Sequence, residues 1–397
     1  MTSLLTFHEN PPLSLYVHLP WCVRKCPYCD FNSHEAGHNA LKEKVYTDAL
    51  IRDLETELPQ IWGRRINTVF IGGGTPSLFS AEAIDQLLAE LRARLNFYPD
   101  IEFTMEANPG TAEADKFRAF RESGINRLSI GVQSFDNAKL KQLGRIHDAE
   151  EAKAAIQMAK SAGFSEINID LMFGLPEQTV EDALSDLQSA IDKEPQHISW
   201  YQLTIEPNTV FYSKPPVLPE DDLIWEMQER GQELLAQHGY RQYEISAYAK
   251  PGHQCLHNRN YWQFGDYLGI GAGAHGKLTD VAAGTVTRKA KHRIPERYIE
   301  LAGSDAVIGN RKILNKEDLK LEFMMNMLRL NEGIHPSMFM QRTGLPISDI
   351  QSQLETAEAQ ELIEWNLQTL KSTAKGQRYL NDLLQLFMPE GETSKIL

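Results

Sequence analysis

Cysteine is nearly absent from the sequence, with 4 in 397 residues. That excludes a disulfide framework and fits a reducing cytoplasm. Positive charge is in deficit: 40 Lys and Arg against 54 Asp and Glu leave a net charge of -14. A nucleic-acid partner held by counterion release needs a basic face, so none is expected. No run approaches the ~20 apolar residues that cross a bilayer. The start, MTSLLTFHENPPLSLY, has no basic region, and Glu9, Pro11 and Pro12 interrupt its apolar character, so a secretory signal is not expected. What is present is the composition of an ordinary globular protein, 42% hydrophobic and 24% charged, long enough for two or three domains.

Short β-rich runs alternate with amphipathic helical ones. The strand candidates are residues 13–19, 66–72, 101–107, 127–133, 167–173 and 197–205. Between them lie helices such as 80–95, where Ile84, Leu87, Leu88, Leu91 and Leu95 share a face behind a Ser80 cap. Strands apolar on both faces and linked by helices imply a covered parallel sheet. Polar groups gather at the C-terminal ends of several strands: the cysteine loop after the first, GGGTPS after the second, Glu106 and Asn108 at the third, Gln133 at the fourth. Asp170 lies inside the fifth. That placement favours an incomplete (β/α)6 barrel over an open sheet with one crevice.

Three of the four cysteines, Cys22, Cys26 and Cys29, stand in HLPWCVRKCPYCDFNSH with C-x3-C-x2-C spacing. One loop of this kind can give thiolates to three irons of a [4Fe–4S] cluster. The fourth iron is then open to the amino and carboxylate groups of S-adenosylmethionine, whose sulfonium one electron can cleave. Trp21, Tyr28 and Phe31 would exclude water and stack on its adenine. A Cys3His zinc site using His34 or His38 is the alternative, although zinc more often pairs two C-x2-C knuckles. Cys255 reads as a small buried hydrophobe. GGGTPS lacks the ending of a phosphate loop; its glycines instead allow close approach to the methionine end of the cofactor.

YVHLPWCVRKCPYCDF, FIGGGTPS, EANPG, GVQSF, LGRIHD and IDLMFGLPEQT together resemble the radical SAM group that contains the oxygen-independent coproporphyrinogen dehydrogenases. The resemblance spans nearly the whole chain. It implies that Tyr16, Gly73, Gly74, Thr75, Glu106, Gln133, Arg145 and Asp170 contact S-adenosylmethionine, with the glycine turn at the methionine part and Arg145 at the carboxylate. Two departures turn the expectation away from coproporphyrinogen decarboxylation. The dehydrogenases carry another cysteine two positions after the third, where this chain has Phe31, and they have a longer N-terminal extension.

HNRNYW, residues 257–262, is similar to the HNxxYW motif of HemW-type haem chaperones in the same superfamily. An imidazole from His257 can ligate haem iron, and Tyr261 and Trp262 offer flat surface to a macrocycle. His253 and His275 are further candidates. RKAKHRIPER, residues 288–297, reads either as a solvated strand or loop or as a seat for haem propionates. The resemblance implies a carrier that hands haem to respiratory haemoproteins, with an electron donor such as flavodoxin or ferredoxin, and leaves room for membrane-surface docking and a homodimer. The competing expectation is a radical enzyme acting on a tetrapyrrole.

The expected organisation is an N-terminal tail over 1–12, the partial barrel with its haem motif over 13–280, a connecting segment over 281–312, a winged-helix-like domain over 313–388 and a flexible tail over 389–397. From Asn331 onward five Lys or Arg face nine Asp or Glu, which argues against DNA binding by that domain. It is expected to cover the barrel's open side or meet a protein partner.

Overall fold

A computed structural model describes residues 5–37 and 41–389. His38, the alternative zinc ligand, and residues 390–397 of the expected flexible tail lie outside them. Six βα units open the fold. Their strands are β1 (Leu13–Leu19), β2 (Arg65–Gly73), β3 (Asn96–Ala107), β4 (Arg127–Gln133), β5 (Glu166–Phe173) and β6 (His197–Gln202). The main connecting helices are α1 (Glu43–Glu57), α2 (Ala81–Arg94), α3 (Ala114–Ser123), α4 (Ala149–Ser161) and α5 (Val180–Ile191), and α6 (Asp221–Gln237) follows β6. All neighbouring pairs from β1 to β6 run parallel. In β1 every residue but Tyr16 is buried, as a strand covered on both faces requires. Side chains fix the starts of α2, α4 and α5: Ser80 accepts from the Ala83 N–H, and Asp148 with Glu151 and Thr179 with Asp182 form capping boxes.

The chain then builds β7 (Arg241–Glu244), β8 (Ala247–Ala249), α7 (Leu256–Trp262), β9 (Asp266–Ile270), β10 (His275–Asp280), β11 (Thr285–Lys291), α8 (Pro295–Leu301) and β12 (Ile308–Ile313). The twelve strands form one sheet in the order β12-β11-β10-β9-β1-β2-β3-β4-β5-β6-β8-β7. β9 pairs parallel with β1, placing β1 in the interior of the sheet, while β10, β11 and β12 continue antiparallel. The partial barrel expected from the sequence is present. Residues 281–312, expected as a connecting segment, instead extend the main sheet through β11 and β12.

The cationic run is strand as far as Lys291, an exposed bend at Arg293 and Ile294 and helix from Pro295, and its lysines are not free surface. Lys289 and Lys291 on β11 are buried against α1: Lys291 reaches Asp53 at 2.6 Å and Glu57 at 2.7 Å, and Lys289 reaches Glu57 at 2.6 Å. Arg288 pairs with Glu322 and Arg297 with Glu300. Among the described residues, Arg293 alone of the run's five cations makes no ion pair.

The C-terminal domain contains α9 (Lys316–Met327), α10 (Ser337–Thr343), α11 (Gln351–Ala359), and a hairpin of β13 (Ile363–Trp365) and β14 (Leu370–Ser372). Asn315 and Asp318 form a capping box on α9. An isolated bridge from Ile334 to Leu370 adds a third short strand position, as a wing requires. Its core takes in Phe7, Phe264 and Val286 from outside the domain, so the interface with the sheet is continuous hydrophobic packing.

Candidate functional site: two adjoining cavities at the strand ends

The cysteine loop leaves β1 and is closed at its base before any metal is considered. Trp21–Cys22 pairs with His34–Glu35, His34 N–H donates to the Pro20 carbonyl, and Ala36 N–H donates to that of Cys22. Lys25 Nζ crosses the loop to the carbonyls of Phe31 and Ser33. The GGGTPS turn is bonded to the same base: Gly74 N–H donates to Leu19 O at 2.8 Å and Thr75 N–H to Trp21 O at 2.7 Å. A Cβ at Gly74 would lie 2.5 Å from Trp21 O, so only glycine permits this approach.

Cys22, Cys26 and Cys29 line one mouth of a cavity of about 360 Å³ that runs into the barrel. Tyr28, Phe31, Gly73, Gly74, Thr75, Glu106, Gln133, Arg145 and Asp170 line it too. Burial pushes the Cys22 and Cys29 thiols up, so a cation must arrive before they ionise at neutral pH. Among the described residues no three His, Cys, Asp or Glu side chains converge tightly enough to hold a single metal ion. His34, whose Nε2 lies 3.2 Å from the Arg293 carbonyl, is not among the residues that line this cavity. Three thiols spread around a cavity suit an iron–sulfur cube better than one zinc ion.

Arg145 spans the gap between the motifs. Its Nη2 donates to Gly131 O at 2.6 Å and its Nη1 lies 3.6 Å from Cys26 Sγ, while Nε is buried with no acceptor. Thr104 Oγ1 is likewise buried without a partner. Buried polar groups left unpaired are costly, and here they border the space that a carboxylate-bearing ligand would fill. Glu106 accepts from Gly73 N–H at 3.0 Å, and burial with the neighbouring Asp170 carboxylate pushes its carboxyl up to about 7. Burial also raises Asp170, which accepts from Ser129 at 2.9 Å and from Asn168 at 2.7 Å. Gln133, at φ 71°, accepts from the Tyr201 hydroxyl at 2.7 Å.

A second cavity, about 540 Å³, adjoins the first, and Phe31, Gly73 and Glu106 line both. Tyr16 belongs to this second space, with Tyr261, Trp262, Tyr267, His275, Arg288 and Arg293. Tyr261 stands edge-on to Tyr267, ring centres 4.5 Å apart. Phe31 is 62% exposed, which places it at the rim.

His257 is not on this wall. It is 1% exposed, Nδ1 lies 2.8 Å from Thr68 Oγ1, Nε2 lies 3.0 Å from the Tyr261 hydroxyl, and burial lowers its pKa to about 3. With both ring nitrogens occupied it ties α7 to β2 and steadies Tyr261, which corrects the expectation that it faces haem iron. His253 bonds Glu166 at 2.7 Å, outside both cavities.

The radical SAM superfamily model matches residues 16–190 and the HemN C-terminal domain model matches 314–379. Proteins named heme chaperone HemW from Haemophilus influenzae and Escherichia coli are each 50% identical over 384 residues, 96% of this chain and 99% of theirs. This chain belongs to the HemW family. A mouse relative, radical S-adenosyl methionine domain-containing protein 1, mitochondrial, is 35% identical over 95% of this chain and 87% of its own. The solved structure of HemN from Escherichia coli, titled a coproporphyrinogen III oxidase and radical SAM enzyme, superposes with a TM-score of 0.80 at 25% identity, over 95% of this chain and 90% of that one.

Other polar residues of this HemW-family cavity escaped the sequence reading: Thr104, Ser129, Asn168, Ser199 and Tyr201. A period-two signal was available for some. Ser129, Gly131 and Gln133 alternate with Leu128, Ile130 and Val132, and Asn168 with Asp170 alternates with Ile167 and Ile169, so each strand turns one polar edge inward. Asn258 of HNRNYW also lines the first cavity. Asn260 holds the motif instead, bonding Ser14 Oγ and Asp266 O at 2.9 Å each.

Proposed function

We propose that this protein is a haem chaperone that binds haem, holds a [4Fe–4S] cluster with S-adenosylmethionine, and passes haem to respiratory haemoproteins. The observation that carries the reading is the aromatic and cationic cavity joined to the cysteine cavity, in a chain 50% identical to proteins named heme chaperones. Cys22, Cys26 and Cys29 would hold the cluster. Gly73, Gly74, Thr75, Glu106, Gln133, Arg145 and Asp170 would hold S-adenosylmethionine, supported by the unpartnered Arg145 Nε and the close-packed glycine turn. When bound, the pair supplies one-electron cleavage of a sulfonium. The chain's own part is to exclude water and to place cations and hydrogen-bond donors around the cofactor.

An electron donor of flavodoxin or ferredoxin type, a cytoplasmic location with docking at the inner face of the membrane, and a homodimer belong to the same reading. No helix among the described residues is long and apolar enough to cross a membrane. The second reading is radical catalysis on a tetrapyrrole, which the full set of cofactor motifs favours, whereas Phe31 in place of a fourth cysteine favours the carrier. Protein reconstituted without oxygen is expected to show a thiolate–iron charge-transfer band, to shift the Soret band of added haemin, and to leave coproporphyrinogen unconverted. Decarboxylation with S-adenosylmethionine and a reductant would replace the chaperone with the enzyme.

A further inference from the structure

Haem iron takes a neutral imidazole whose lone pair is free. Two histidines line the larger cavity, His18 and His275. His18 is committed, with Nδ1 2.9 Å from the Tyr16 hydroxyl and Nε2 2.9 Å from Asn32 O. His275, the first residue of β10, is exposed to the cavity, and its ring makes no hydrogen bond among the described residues. Partial burial with Arg288 and Arg293 nearby lowers its pKa, which keeps the lone pair available at neutral pH.

The backbone before His275 is held in place by the cysteine loop. Asn32, three residues after Cys29, donates from Nδ2 to Ala272 O and to Arg293 O, each at 2.8 Å. Gly271 and Gly273 take φ of 111° and 79°, and a Cβ at Gly273 would lie 2.4 Å from Asn32 Nδ2. The turn thus presents His275 at a fixed point beside the aromatic wall. Arg293, the cation of its run without an ion pair, stands at the same rim with a guanidinium suited to a carboxylate.

Resting on the haem-chaperone reading, we propose that His275 is the residue that ligates haem iron, with Arg293 pairing a propionate and Tyr261, Trp262 and Tyr267 walling the macrocycle. Haemin titrated into the full-length protein tests this by its Soret band and by electron paramagnetic resonance of the ferric iron. Losing even an outer partner of a ligating histidine costs about 10–100-fold in metal affinity, so His275→Ala should weaken haemin binding by about tenfold or more. It should also abolish the imidazole signature, which added free imidazole restores. His275→Met should give a thioether-type spectrum. His257→Gln, which keeps a polar group facing Thr68, should retain the imidazole signature. An unchanged spectrum in His275→Ala overturns the assignment, as does loss of the signature in folded His257→Gln. A wild-type protein that binds no haemin defeats the chaperone reading itself, and needs no variant to be recognised.

Discussion

Glu106 sits where the two cavities meet, and its protonation should govern how well a cationic cofactor is held. Its carboxyl is pushed up to about 7 by burial and by Asp170, partly offset by the Gly73 N–H. A raised value means that the neutral acid predominates below pH 7, whereas a sulfonium nucleotide favours the carboxylate. S-adenosylmethionine affinity of reconstituted protein should therefore rise between pH 6 and pH 8, approaching about tenfold per unit on the acid side. Glu106→Gln, which still accepts from Gly73, should flatten that profile in equilibrium dialysis; an equally steep profile in the variant would rule out Glu106 as its source. At this scale the sequence is uneven as a guide. The cysteine trio is legible because one short loop carries the whole pattern. The role of His257 is not, because Thr68, 189 positions away, decides what its Nδ1 does.

At the scale of elements, β11 is clasped to α1 by four buried charges. Asp53 also accepts from the Tyr298 hydroxyl at 2.8 Å, which brings α8 into the clasp. Removing one partner of a buried ion pair strands the others at a cost of roughly 3–5 kcal/mol. Lys291→Met should therefore lower the unfolding midpoint strongly. Asp53, already raised by burial, would lose its cation and rise further above its unfolded value, so the loss should be larger at pH 8 than at pH 5. Chemical denaturation at the two pH values checks both size and sign; an effect independent of pH would mean that packing, not charge, is what Lys291 contributes. The same clasp explains why this part of the fold was hard to read. The strands β1 to β6 carry apolar residues at about every second position or more often and announce themselves, whereas TVTRKAK resembles a solvated segment until its carboxylate partners arrive from more than 200 positions away.

For the whole molecule, the question is what the C-terminal domain is for. It has the helices and hairpin of a winged helix but a surplus of acidic residues, and its contacts run inward. Arg378 lies over Trp225 of α6 at 4.3 Å, Asn331 N–H donates to Tyr243 O, and Arg329 stacks on Trp262 at 4.3 Å while reaching Glu244 at 3.4 Å. Asn326 of α9 lines the larger cavity, and Glu322 of the same helix holds Arg288. The domain is thus a wall of the proposed haem site. Cutting after residue 313 would uncover Phe7, Phe264 and Val286 together and should give aggregated protein. The sharper measurement uses the full chain: Glu322→Gln with Arg329→Ala frees Arg288 and Trp262 without opening the core. This double variant should keep its iron–sulfur charge-transfer band and its affinity for S-adenosylmethionine while haemin binding weakens by about tenfold, the size expected for losing outer-shell support. Undiminished haemin binding would mean that the domain's inward contacts serve stability alone, and that the haem site ends at the edge of the barrel.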